Sequence, residues 1–334
     1  MDAAWAGELV FGQSARKNCE QSEFETGASL ICHKEHKEYK TIFVFFAFFV
    51  AIWFVSIARV QIHALQTGTV AVKRSHRTLT GPPFTRLLSI LLDWRYTEPL
   101  PIYAWVIEHP EGIIVVDTGE AAAVMAQDYF ETDYEYRFAQ KYGRMFKFSV
   151  THEQEIGVQL KGLGINPRKD VKWVVLTHLH CDHVDGLRYF PNADIMISQA
   201  EYSRTSRAFC RWPIWFRPSM LVNFDAQAYG AFTHSFALTQ AADVLLVPTP
   251  GHTFGHQSVI VRDAQEAGVD VLLAGDAAFS AAQVQTGEVA GIVADVKLAR
   301  HTLQTIQQHA AQRPTLILPS HDAGAALQLF ANHH

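Results

Sequence analysis

The segment His178-Leu179-His180-Cys181-Asp182-His183 places three imidazoles and a carboxylate within six residues. It follows the apolar run Trp173–Leu176 and reads as a buried strand ending in a loop that presents its polar side chains to one point. Neutral imidazole and carboxylate together suit zinc and related divalent ions. Cys181 lies inside the motif, but the alternation His-x-His-x-Asp already fills such a site, and a small side chain pointing away is the preferred reading. Further metal-capable residues stand at the ends of other apolar runs. Gly251-His252 follows residues 244–247 and a Pro-Thr-Pro turn, Gly275-Asp276 follows residues 269–274, and His321 follows residues 315–318. A lone histidine is more often a satisfied structural residue. The same placement repeated at several strand ends points to one shared centre.

The elements that must position these residues alternate between strand and helix patterns. Val60–Gly68 reads as a first strand. Tyr103–Glu108 and Ile113–Asp117 read as paired strands around the turn His109–Gly112. Residues 120–143 and 152–163 read as helices, and residues 171–177, 193–198, 244–247, 257–262 and 269–274 as strands. A helix over Lys297–Ala311 precedes a last strand, Thr315–Leu318. The pattern predicts an α/β sandwich of sheets covered by helices, with chemistry on the loops at strand ends.

Composition narrows the functional classes. The 334 residues are 49% hydrophobic, enough for a large core in one or two domains. A net charge of -5, 18% charged residues and no Lys/Arg-rich block argue against a nucleic-acid partner. Cys19, Cys32, Cys181 and Cys210 form no CxxC pair and do not read as a disulfide framework. Residues 1–40 are polar, mixed in charge and aperiodic, and are expected to be disordered. Residues 41–59 hold the apolar run Ile42–Ala58, interrupted only by Ser56, which predicts a single transmembrane helix and a membrane-anchored protein. Lys37, Lys40 and Arg59 flank it and can snorkel. A buried core helix fits less well, because the run is apolar on every face. Ser56 and Ala58 have the spacing of a signal-peptide cleavage site, although the run begins late. A true start near Val60 would instead leave a cytoplasmic protein.

The set His178-x-His180-x-Asp182-His183, His252, Asp276 and His321 resembles that of the metallo-β-lactamase superfamily, over about residues 61–334. The resemblance implies an αββα sandwich over residues 60–334 with a metal site at one edge between two sheets. It implies that His178, His180 and His252 hold one ion, that Asp182, His183 and His321 hold a second, and that Asp276 bridges them. Asp117, in Val116-Asp117-Thr118-Gly119, is expected to orient a ligand, and His256 to support the site from behind. Five histidines and two carboxylates are costly to bury without a cation. Two divalent ions, zinc by default, offset that cost and lower the pKa of bound water from ~15.7 to about 7. A bridging hydroxide could then attack a carbonyl carbon, the ions stabilising the oxyanion and Asp182 acting as the catalytic proton carrier. Asp at 276, where β-lactam-hydrolysing branches carry Cys or Ser, argues against a β-lactamase.

Further stretches are similar to N-acyl-homoserine lactonases: Glu153-Gln154-Glu155-Ile156-Gly157, Gln199-Ala200-Glu201-Tyr202, Thr249-Pro250-Gly251-His252-Thr253-Phe254-Gly255-His256, and Gly275-Asp276-Ala277-Ala278. The resemblance implies hydrolysis of the ester ring of a small-molecule lactone. One position departs from it. Such lactonases carry a tyrosine three residues after the bridging Asp, where this chain has Phe279, and a phenyl ring donates no hydrogen bond. Trp212, Trp215 and Phe216, with Phe146 and Phe279, are candidates for a wall that takes an acyl chain; the aromatic stretch 209–216 would equally suit a homodimer contact. The alternatives are an ester or thioester hydrolase of the hydroxyacylglutathione hydrolase kind, whose helical C-terminal domain finds no room after His321, and a catalytically silent metal-binding sensor.

Overall fold

Residues Leu100–Glu108 are buried at every position but the last, so both faces of this strand must meet apolar layers. Tyr103, Trp105 and Ile107 enter one hydrophobic cluster, and Ala104 and Val106 enter another. That alternation sets the architecture. The computed structural model describes residues 60–79, 85–126, 129, 145–204, 217–224, 227–265 and 268–331. The strands are β1 (Gln61–Ala71), β2 (Leu100–Glu108), β3 (Ile113–Val116), β4 (Lys147–Ser149), β5 (Val171–Val175) and β6 (Asp194–Ser198). They continue with β7 (Met220–Val222), β8 (Phe236–Ala237), β9 (Val244–Pro248), β10 (Gln257–Gln265), β11 (Val269–Gly275) and β12 (Thr315–Pro319). One sheet has the order β4-β1-β2-β3-β5-β6-β7, the other β12-β11-β10-β9-β8.

The inner faces meet through Trp105, Ile107, Ile114 and Val116 on one side and Val244, Leu246, Val259, Val271 and Leu273 on the other. The outer face of the first sheet is covered by Ile156 and Leu160 of the helix Ile156–Gly162, and by Leu187 and Phe190. The outer face of the second is covered by Ala299, Leu303 and Ile306 of the helix Val296–Gln312. The αββα sandwich is therefore as expected.

Strand direction places the site. β3 and β5 are parallel, so Asp117 and the His178 segment leave the first sheet at the same edge. β9 and β11 are each antiparallel to β10, and β11 is parallel to β12, so these three also run one way. Their C-terminal loops carry His252, Asp276 and His321.

Several expectations are corrected. Residues 120–143 contribute a 3₁₀ turn, Ala122–Met125, and most of the remainder lies outside the described residues. The transmembrane helix is not found. Among the described residues no helix is long and apolar enough to cross a membrane. The longest, Val296–Gln312, has 17 residues and only one buried face, whereas a span needs about 20 mostly apolar residues. Residues 41–59, the signal-like reading of them, and the disorder expected over 1–40 lie outside the described residues. Membrane anchoring and a membrane-anchored localisation are accordingly dropped, and so is the homodimer, which no observation supports.

Trp105 is fully buried between the sheets, its ring 5.4 Å from that of Tyr103. Trp105→Ala should lower unfolding stability by about 3–5 kcal/mol, read from the denaturant midpoint. An unchanged midpoint would contradict this packing.

Candidate metal centre

The Asp117 backbone sits at φ 58°, a left-handed conformation that Asp tolerates better than most residues. This turn aims a wholly buried carboxylate under the histidine segment. Asp117 Oδ1 accepts from the Thr177 backbone N–H at 2.7 Å, and Oδ2 accepts from Thr177 Oγ1 and His183 Nδ1, each at 2.8 Å. Thr118 donates to the His183 carbonyl from its backbone N–H at 2.8 Å and from its hydroxyl at 3.0 Å. The first sheet therefore grips both ends of the loop.

The metal-capable side chains gather in two groups, His178/His180/His252/Asp276 and Asp182/His183/His321. His180 Nδ1 lies 2.9 Å from both His178 Nε2 and His252 Nε2. Asp276 Oδ2 lies 3.4 Å from His252 Nε2 and 4.0 Å from His178 Nε2. Asp276 Oδ1 faces the other group, 3.3 Å from His183 Nε2 and 3.4 Å from His321 Nε2. Asp182 Oδ2 is 3.4 Å from His321 Nε2. Four ligands about 2.0–2.1 Å from a tetrahedral ion stand about 3.3 Å apart, so these spacings suit an ion at the middle of each group.

The outer nitrogens fix the ring tautomers. His252 Nδ1–H donates to the Ile292 carbonyl at 3.0 Å and His321 Nδ1–H to the Pro101 carbonyl at 2.8 Å, which leaves each Nε2 lone pair aimed inward. His183 does the same through Asp117. Burial pushes the pKa of His178 and of His252 well below the ordinary 6.5, keeping both neutral as ligands must be. In the second group burial is outweighed: Asp117, Asp276 and Asp182 hold His183 well above its usual value, and Asp276 raises His321. Despite its own burial, Asp276 is held well below the carboxylate range by His321 and His183. A cavity that draws protons so strongly also favours a cation in their place. His183 Nε2 and Asp276 Oδ1 are buried without a hydrogen-bond partner, a costly state that a shared ion relieves. The residues present therefore fit a pair of divalent ions, and Cys181 stays outside both groups.

His256 stands behind the centre. Its Nε2 accepts from the Asp276 backbone N–H at 3.0 Å and its Nδ1 lies 2.8 Å from Thr249 Oγ1. Burial pushes its pKa down to about 3, so it remains neutral and holds the Asp276 backbone. Gly275, at φ 56°, makes that approach feasible: a Cβ there would stand 2.7 Å from His256 Nε2. The Phe279 ring stacks on His321 at 5.6 Å and 28°. Phe146 packs against the second sheet's outer cluster beside His76 and Phe148. Trp212, Trp215 and Phe216 lie outside the described residues.

Nothing in the sequence marks the Ile292 and Pro101 carbonyls, since a backbone acceptor carries no residue signature. Glu201, wholly buried and bonded to both histidine loops of the first group, is likewise not marked as part of the site. Its place in the motif Gln199-Ala200-Glu201-Tyr202 was the available signal.

Among the described residues only Asp276 divides its two oxygens between the groups. After incubation with Zn²⁺ and desalting, Asp276→Ala should retain at most half as many ions per chain as the unmodified protein, measured by elemental analysis. Retention of two ions would show that the carboxylate does not join the groups.

Residues 97–321 match the Metallo-beta-lactamase superfamily, and this match spans more than half of the chain. An N-acyl homoserine lactonase of Bacillus cereus is 28% identical over 67% of this chain and 82% of its own length. The N-acyl homoserine lactonase AttM of Azorhizobium caulinodans is 29% identical over 69% of this chain and 84% of its own length. A solved N-acyl homoserine lactone hydrolase, with N-hexanoyl-L-homoserine bound at its catalytic metal center, superposes with a TM-score of 0.62. It covers 80% of this chain and 95% of its own, and its 21% identity speaks for the fold alone. Together with the two metal-capable groups, these matches make the chain a metal-dependent hydrolase that belongs to the metallo-β-lactamase superfamily.

Proposed function

We propose that this chain hydrolyses carboxylic ester or thioester bonds through a dinuclear centre, with N-acyl homoserine lactones as the narrower substrate class. The observation that carries the proposal is Asp276, whose two oxygens each face a different imidazole group. His178, His180 and His252 would hold one ion, Asp182, His183 and His321 the other, with Asp276 on both; zinc suits the donor set. A pair of such ions supplies Lewis acidity and activates water at neutral pH.

The chain's own groups account for the remaining steps. His183 is locked by Asp117 and His252 by the Ile292 carbonyl, so the ligand geometry is set before substrate arrives. Asp182 is the more accessible carboxylate, its side chain 14% exposed against 6% for Asp276. It is therefore the group that can hold a proton and pass it to the departing alkoxide or thiolate. Phe279 lays an apolar ring against His321. It offers a substrate no hydrogen bond, where the lactonases this chain resembles carry a tyrosine.

The curated lactonase relatives support the narrower reading, while Phe279 favours the broader one. Full-length protein loaded with Zn²⁺ is assayed on N-acyl homoserine lactones with short and long acyl chains, open-chain esters and thioesters. Turnover of any ester or thioester supports the proposal. No turnover across the panel, with two ions bound, would identify a silent metal-binding protein. Where lactones are opened, Phe279→Tyr should raise kcat severalfold, up to about tenfold for one added hydrogen bond to the reacting ester. An unchanged or lower rate would count against any role for position 279.

A further inference from the structure

Glu201 lies in the short helix Gln199–Arg204 that follows β6, and none of its surface is exposed. Its Oε1 accepts from the Leu179 backbone N–H at 3.2 Å. Its Oε2 accepts from Thr253 Oγ1 at 2.6 Å and from the Gly255 backbone N–H at 3.1 Å. Leu179 is the residue between His178 and His180, and Thr253 is the residue after His252. One buried carboxylate thus ties together the two loops that supply all three histidines of the first group.

The surrounding contacts leave this clamp little play. The Glu201 backbone N–H donates to Ser198 Oγ at 3.0 Å, and Ser198 Oγ donates to the Gly255 carbonyl. A Cβ on Gly255 would stand 1.9 Å from the Glu201 nitrogen, so only glycine lets the loop press onto the helix. The Leu179 side chain is anchored independently in the outer core of the first sheet. The three donors to Glu201 are all neutral, so an ion on the adjacent histidines would be the nearest positive charge to this buried carboxyl group. None of these bonds reaches Asp182, His183 or His321; His183 is held by Asp117 and Thr118, and His321 by the Pro101 carbonyl.

We propose that Glu201 is a positioning residue of the His178/His180/His252 group and not of the Asp182/His183/His321 group. This rests on the dinuclear reading above. The test separates the sites before perturbing them. In the full chain, His321→Ala leaves the first group intact, and His252→Ala leaves the second. Zn²⁺ affinity is measured by competition with a chromophoric chelator in each background, with and without Glu201→Gln. The expected result is a loss of about 10- to 100-fold with His321→Ala and none with His252→Ala. Thr253→Val, which removes one donor and keeps the carboxylate, should give a smaller loss in the same background only. It decides the matter if Glu201→Gln does not fold. Equal losses in both backgrounds, or no loss in either, would overturn the assignment. If unmodified protein fails to take up two Zn²⁺, the dinuclear reading itself falls, and the assignment with it.

Discussion

The carboxylate of Asp276 lies between two groups of imidazoles, one oxygen turned to each. Burying so many ligand atoms together is costly without a cation. His183 Nε2 and Asp276 Oδ1 show that cost directly, buried and unbonded. The surrounding structure holds these atoms at ligand spacing through bonds to the outer atoms of the same side chains. His252 is tied to a carbonyl 40 residues away, His321 to one 220 residues away, and His183 to a carboxylate 66 residues away. Asp276 itself is held by its backbone through His256, so its carboxylate is left for the centre.

The sandwich makes that arrangement possible. Parallel neighbours β3 and β5 end at one edge of the first sheet, and β9, β11 and β12 run alike in the second. Apolar side chains fill both faces of the central strands, so the ligand residues are assembled on the polar loops at the strand ends. Each sheet delivers part of the ligand set: the first supplies the His178–His183 segment, the second His252, Asp276 and His321. The centre is therefore a product of the packing between sheets, and loss of that packing removes it.

Much of this was legible in the sequence. The ligands stand directly after apolar runs, and strands such as Val244–Pro248 and Val269–Gly275 end within a residue or two of where periodicity places them. Asp117 and His256 were readable because they sit in motifs with fixed spacing from the ligands. Other features were hidden for identifiable reasons. Glu201 accepts from the backbone N–H groups of Leu179 and Gly255 and from the Thr253 hydroxyl, 22, 54 and 52 residues away, none of which leaves a pattern in the chain. The Ile292 carbonyl comes from an irregular loop. Hydropathy alone makes the apolar run before residue 60 a membrane span; that run lies outside the described residues, among which no helix is long and apolar enough to cross a membrane.

The proposed dinuclear centre requires two ions that share the Asp276 carboxylate. The most direct measurement is anomalous diffraction at the zinc edge from crystals of the zinc-loaded protein. Two peaks about 3.5–4 Å apart, one on each side of Asp276, are the predicted result. A single peak, or two peaks with Asp276 contacting only one, would contradict it.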